Sequence, residues 1–412
     1  MHAIFLRGSS STARIVGALS AGLAALILIG SPARGEDTPF AEVRNRMQSF
    51  VDSQEIAGAV TVVGRKDGIL NIEVVGSLNL DERQPMSKDA LFRIASMTKP
   101  ITAIGIMILA EEGKLSVEDP VEKHLPEFRG QMLVASRTPD TVTLKKPARP
   151  ITLRDLLTHT SGLPGGFPVG LADLYVKRQH SLAEAIMAQS QRPLEYEPGS
   201  KWAYCNAGID TLGRVIEVVS GQSYEDFLQK RIFQPLGMPD TTFYPTAEQL
   251  RRVGPVYARK DGKLVPAGDN LIGPPMRARY TIPAGGLFST GADLARLYRM
   301  LLGNGTLDTV RILSPESVVQ MTRLQTGELT TGFTPGMGYG LGFGVVRTPT
   351  GVTAMLSPGT FGHGGAFGTQ GWIDPQQDLF LILLIQRSGL PNSDASPMRE
   401  AFQAAAVAAL KK

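Results

Sequence analysis

The chain has 412 residues, 42% of them hydrophobic and 19% charged, with a formal net charge of +4. Three Arg and no acid lie in the first 35 residues, and removing them from the 42 basic residues leaves 39 against 38 acidic. That balance gives no electrostatic basis for nucleic-acid binding, and the single cysteine, Cys205, excludes an internal disulfide. The five histidines include no HExxH pair and there is no thiolate cluster, so neither a metal nor another cofactor is expected.

Arg7 and Arg14 precede the apolar run Ile15 to Gly30, followed by Ser31, Pro32, Ala33, Arg34 and Gly35. A basic start, an apolar centre and small residues at the end read as a secretory signal peptide over 1–35, cleaved near Ala33 or Gly35. The run is short against the ~20 residues a membrane span needs, so no stable membrane anchor is expected after cleavage. A secreted or periplasmic mature chain, 36–412, follows.

Phe40 to Val51 has helical spacing of apolar residues. "AVTVVGRKDGILNIEVVG" then gives two β-rich runs around Lys66-Asp67-Gly68, a hairpin signal. In "RIASMTKPITAIGIMILAEEGKL" the residues after Lys99 are apolar nearly all round, which predicts a buried helix. Pro100 is tolerated only in a first turn, so Ser96 stands at or just before the helix N-terminus. There the backbone N–H groups favour a developing oxyanion. The i,i+3 spacing puts Lys99 on the same face, and a lysine against an apolar helix has its pKa lowered and can take a serine proton. The plainer alternative is a serine cap with a solvated lysine.

From about 111 to 284 the text is helical segments and long Pro/Gly-rich loops. Within it, Tyr204 and Asn206 stand ahead of an amphipathic helix. Asn206 is either that helix's N-cap or an amide orienting the lysine or a substrate carbonyl, and Tyr204 is either a packed aromatic or a proton shuttle. Cys205 between them reads as a small buried filler. Thr290 and Asp293 read as a capping box for a helix from Gly291. Strand-like text returns in "GYGLGFGVVR", "TFGHGG", "TQGWID" and "LFLILLIQ", and 396–410 is an Ala-rich helix. His363-Gly364-Gly365 falls on one of these strands, where glycines mark close approach. The expected fold is α/β (α+β): one antiparallel sheet built from both termini and flanked by helices (36–110 and 285–412), with a mostly helical subdomain inserted at 111–284.

Taken in order, Ser96-Met97-Thr98-Lys99, Tyr204-Cys205-Asn206 and His363-Gly364-Gly365 resemble the S-x-x-K, Y-x-N and K/H-x-G motifs of the serine β-lactamase and penicillin-binding-protein superfamily. Within it, the pattern looks most like the class C β-lactamase, family VIII carboxylesterase and D-aminopeptidase group. "LTHTSGL" at 157–163, "PLGM" at 235–238 and "PAGGLFST" at 283–290 agree, and the resemblance covers about 40 to 410. It implies that Ser96 is the nucleophile, assisted by Lys99 and Tyr204, with the N–H groups of Ser96 and Ala366 as oxyanion hole. It also gives Asn206, His363, Gly364 and Gly365 a substrate-orienting role and leaves His159 to brace a loop. Where β-lactamases usually carry a lysine to bind a carboxylate, this chain has His363, largely neutral at pH 7. A small neutral ester is therefore the expected substrate. A D-amino-acid peptidase or amidase and a class C-type β-lactamase are the enzymatic alternatives. A slowly acylating penicillin-binding sensor or scaffold is the non-enzymatic one. An α/β-hydrolase would need a G-x-S-x-G elbow, which the sequence lacks.

Overall fold

The computed structural model describes residues 39–166, 170–171, 178–268 and 280–411. The leader expected over 1–35 lies outside them. Helix α1 (Ala41–Asp52) is followed by the hairpin of β1 (Gly58–Arg65) and β2 (Gly68–Asn79), with β3 (Gln84–Pro85) beside it. Helices α2 (Thr98–Glu111), α3 (Asn206–Ser220) and α4 (Gly291–Leu302) come next. The chain ends with β4 (Met337–Tyr339), β5 (Gly344–Val346), β6 (Phe361–Gly364), β7 (Gln370–Asp374), β8 (Leu379–Leu384) and α5 (Pro397–Ala409).

The strands form one sheet in the order β4-β5-β6-β7-β8-β1-β2-β3, antiparallel at every pairing. Its two halves come from opposite ends of the chain and meet where Val60 pairs with Leu384 and Val62 with Ile382. The unbroken apolar run of β8 follows from burial on both faces. Phe380, Ile382 and Leu384 enter the main core, whereas Leu379, Leu381 and Leu383 pack with Val43 and Met47 of α1 and with Phe402 and Ala406 of α5. Residues Thr98 to Leu109 of α2 are all buried, as an all-round apolar helix requires.

Three details differ from the sequence reading. The stretch 111–284 contains two β-hairpins besides its helices, Leu133–Arg137 with Val142–Lys145 and Tyr257–Lys260 with Lys263–Pro266. Most of their residues are exposed or half-exposed, so they lack the alternation that a buried face imposes on a strand. The cap of α4 is one-sided: Thr290 accepts from the Asp293 N–H, but the Asp293 carboxylate turns to the Asp240 N–H and the Thr241 hydroxyl. Cys205, not Asn206, is the N-cap of α3, and it makes no side-chain cap bond.

Candidate active site

Ser96 sits in a single 3-10 turn, Ala95–Met97, that runs into α2. The residue before it, Ala95, has φ 47°, a left-handed conformation costing roughly 1–2 kcal/mol for a residue with a Cβ. The neighbours hold it there. The Thr98 hydroxyl donates to Ala95 O at 2.7 Å, Ile94 N–H donates to Leu287 O at 3.0 Å, and the Thr369 hydroxyl donates to Ile94 O at 3.3 Å. Backbone strain fixed from several sides is typical of a site that presents one side chain outward, and Ser96 is half-buried at the floor of a cleft of about 400 Å³.

One turn on, Lys99 is wholly buried. Its Nζ donates to Ser96 Oγ at 2.9 Å and to Ala284 O at 2.6 Å, and lies 4.7 Å from the centre of the Tyr204 ring. Burial lowers its pKa to about 7 against the opposing pull of Asp210, Cys205 and Asp394. The Tyr204 hydroxyl donates to the same Ser96 Oγ at 2.7 Å. Burial pushes its pKa above the ordinary tyrosine value, so at neutral pH it is a phenol with a proton to give. The serine oxygen thus lies between a titratable amine and a proton donor.

The third motif approaches from β6. A Cβ on Gly365 would come within 2.6 Å of Ile94 O and against the Thr369 hydroxyl, so only glycine lets this strand close on the Ser96 turn. A Cβ on Gly364 would fall on the Asp394 carboxylate. Ala366 follows, exposed and lining the cleft with Ser96. Outside the helices and strands, the described residues supply no backbone acceptor to the Ser96 or the Ala366 amide.

The Beta-lactamase family profile matches residues 43–406. The chain belongs to the β-lactamase family. As a member it is a serine hydrolase. It is 37% identical to an uncharacterised Mycobacterium tuberculosis protein over 82% of this chain and 88% of that one. It is 31% identical to the lovastatin esterase of Penicillium rubens over 82% of this chain and 91% of the relative. Others among its relatives are named esterase or penicillin-binding protein. The solved structure of EstCE1, a hydrolase with promiscuous acyltransferase activity, superposes with a TM-score of 0.75 at 26% identity, covering 90% of this chain and 98% of that one.

Two residues assigned orienting roles from sequence are placed differently in this β-lactamase-family fold. His363 is buried, with both ring nitrogens engaged: Nδ1–H donates to Gly364 O at 2.6 Å, and Nε2 accepts from the Tyr339 hydroxyl at 3.1 Å. Burial, with the charge of Lys99, brings its pKa down to about 4. The ring is neutral, as its residue type suggests, but it braces Tyr339 and β6 and has no nitrogen left for a substrate. Asn206 is the exposed first residue of α3, and its side chain bonds to none of Ser96, Lys99 or Tyr204.

One charged group at the site escaped the sequence. Asp210, one turn beyond Asn206, is buried; it accepts from the Ala284 N–H at 2.8 Å and from the Tyr280 hydroxyl at 2.6 Å. It thereby holds Ala284, the residue whose carbonyl accepts from Lys99. Burial pushes its carboxyl up to about 6. An acid set among apolar positions of an amphipathic helix was the available signal. His159, φ 59°, braces the loop as expected: Nδ1 accepts from the Cys205 N–H at 3.2 Å, and its ring lies 4.6 Å from Tyr204 and 5.0 Å from Tyr339. Among the described residues no three His, Cys, Asp or Glu side chains gather as a metal ligand set, and no helix is long and apolar enough to cross a membrane.

Proposed function

We propose that this protein is an exported serine esterase that cleaves a neutral ester through an acyl-Ser96 intermediate. One observation carries the reading: Ser96 Oγ is bonded at once to Lys99 Nζ at 2.9 Å and to Tyr204 Oη at 2.7 Å. With a pKa near 7, Lys99 exists as the free amine in a large fraction of molecules at neutral pH. That amine takes the Ser96 proton as Oγ attacks the carbonyl carbon. The oxyanion forms against the amides of Ser96 and Ala366. Tyr204 gives its proton to the departing alkoxide and recovers one from the lysine. Water then attacks the acyl-Ser96 ester, releasing the acid and returning the proton to the serine.

A neutral ester is favoured because His363 carries no charge to bind a carboxylate, and because named relatives include esterases. Export rests on the basic and apolar pattern of residues 7–35. The decisive experiment is a panel of p-nitrophenyl esters, nitrocefin and D-amino-acid amides, run on the protein and on Ser96→Ala. Ester turnover lost in the variant, and a fluorophosphonate adduct on the Ser96 peptide, are the expected results. Nitrocefin hydrolysis matching the best ester would replace this reading with a β-lactamase. N-terminal sequencing of exported protein should find a start between Arg34 and Asp37; an uncut chain in the membrane would refute export.

A further inference from the structure

The cleft over Ser96 is lined on one side by Tyr204 and Phe333 and on the other by Asn392 and Asp394. Among the described lining residues Asp394 alone carries a formal charge. One of its oxygens, Oδ1, accepts from Gln370 Nε2 at 3.1 Å, and Oδ2 has no hydrogen-bond partner among the described residues. Phe333 is 48% exposed, a large apolar ring left at the mouth. It stands 5.1 Å from the Tyr204 ring and 6.0 Å from the Trp202 ring. Asn392 joins the two sides: its Oδ1 accepts from the Asp394 N–H at 3.0 Å, and its Nδ2 donates to Phe333 O at 2.7 Å. A carboxylate and an aromatic wall are thus held together before any ligand arrives.

We infer that the cleft contains a subsite for an organic cation, an alkylammonium group of the substrate, seated between the Phe333 ring and the Asp394 carboxylate. The inference rests on the esterase reading for the identity of the reacting bond but not for the subsite itself, and it amends that reading's substrate from an uncharged ester to one that lacks a carboxylate and bears a cation remote from the ester bond. Aromatic rings attract diffuse, weakly hydrated cations, and one carboxylate supplies the complementary charge. A hard divalent ion would need six or more oxygens, which this wall does not offer. The other charges nearby do not reverse the sign. Arg399 is fully buried, its guanidinium laid 4.0 Å over Trp372 and its Nη1 donating to the Asp394 backbone carbonyl at 2.7 Å. It lines the adjoining cavity together with Trp372 and Asp394, is absent from the lining of the Ser96 cleft, and offsets part of the Asp394 charge. Lys99 lies under Ser96 and is shared with Ala284; His363 and His159 are both held neutral by burial. An anionic group in this cleft would face the Asp394 carboxylate, and among the described residues lining the cleft there is no cation to receive it.

Both tryptophans of the chain, Trp202 and Trp372, line an adjoining cavity that shares Phe333 and Asp394 with the cleft, so intrinsic fluorescence reports on a ligand held between those two residues. The test titrates the Ser96→Ala protein with tetramethylammonium chloride against sodium chloride at equal ionic strength. Saturable, tetramethylammonium-specific quenching is expected, weakened about tenfold or more in Asp394→Asn and about fivefold in Phe333→Leu. Asparagine keeps an oxygen for Gln370, and leucine keeps apolar bulk at an exposed position, so each change removes charge or ring and spares the fold. No saturable signal, or equal affinity in both variants and the parent, overturns the subsite. On the active protein, choline butyrate, its uncharged dimethylbutyl counterpart and its sulfoethyl counterpart are compared with p-nitrophenyl esters charged in the acyl chain. In at least one set the cationic ester should exceed the anionic one by about 10²-fold in kcat/KM, and Asp394→Asn should shrink that ratio to within about threefold. Neutral esters turned over with no charge preference in either set would refute the subsite and leave the esterase reading standing. Tetramethylammonium binding without Ser96-dependent turnover of any ester would do the reverse.

Discussion

Replacing Asp210 by Asn removes one negative charge from the surroundings of Lys99 while keeping an oxygen for the Ala284 amide. The two groups communicate through one residue: Asp210 Oδ1 is 2.8 Å from Ala284 N, and Ala284 O is 2.6 Å from Lys99 Nζ. With a residue's own N and O roughly 3 Å apart, carboxylate and amine stand roughly 7 Å from each other. At an effective dielectric of about 20 their attraction is then about 2.4 kcal/mol, worth about 1.7 pH units of Lys99 titration. The sign is fixed by the charges. The carboxylate keeps the proton on Lys99, so the wild-type kcat/KM should rise with pH through about 7, where the free amine appears. In Asp210→Asn the amine is freed earlier, and the acid limb should move to roughly pH 5.5. The Asp210 carboxyl, pushed up to about 6, is ionised over the upper part of that window and contributes less below it, so a shift of about one unit is the lower bound expected. Cys205, Asp394, Tyr204, His159, His363 and Tyr280 also face this pair, and none is altered by the substitution. The assay is kcat/KM for p-nitrophenyl butyrate between pH 4.5 and 9 at constant ionic strength. A limb that stays at its wild-type position, or moves to higher pH, would show that Asp210 does not set the Lys99 proton affinity, whatever happens to the plateau.

Tyr204→Phe and Lys99→Ala should each lower kcat by at least ~10²-fold, and the double variant should lose little more, because both act on the one Ser96 oxygen; fully additive losses in steady-state kinetics would show two independent roles. Gly365→Ala should destabilise the fold by about 1–3 kcal/mol in chemical denaturation and depress turnover, since its Cβ meets Ile94 O and the Thr369 hydroxyl beside the nucleophile turn; an unchanged denaturation midpoint would contradict the packing. His363→Lys should lower Tm, with a cost of about 3 kcal/mol for a buried cation placed beside Lys99 without a bonded carboxylate. It should not create nitrocefin hydrolysis, and a lysine variant that is stable and cleaves nitrocefin would show that position 363 does face the substrate.

The sequence by itself determined the pattern of the fold and the nucleophile's immediate neighbourhood. Local physics was enough there. The all-round apolar text after Lys99 could only be a buried helix, Pro100 confined its start, and an i,i+3 spacing placed the amine one turn from Ser96. The continuous "LFLILL" run demanded a strand covered on both faces, and the Lys66-Asp67-Gly68 turn demanded a hairpin. The family motifs supplied the order of Ser96, Tyr204 and His363 along the chain. Tertiary structure decided what these groups touch, because hydrogen-bond partners at separations of 100 residues or more leave no periodic trace. Tyr204 meets Ser96 across 108 positions and Lys99 meets Ala284 across 185. Asp210 looked like any helix acid until Ala284 and Tyr280 closed on it. His363 looked like a substrate contact until Gly364 O and the Tyr339 hydroxyl took both its nitrogens, and Asp394, in a 3-10 turn about 30 residues beyond the third motif, gained its place in the cleft only because Gly364 leaves room for a carboxylate. Spacing along a helix or strand fixes direction within one element; the charge and the proton traffic of the site depend on which elements the core brings together.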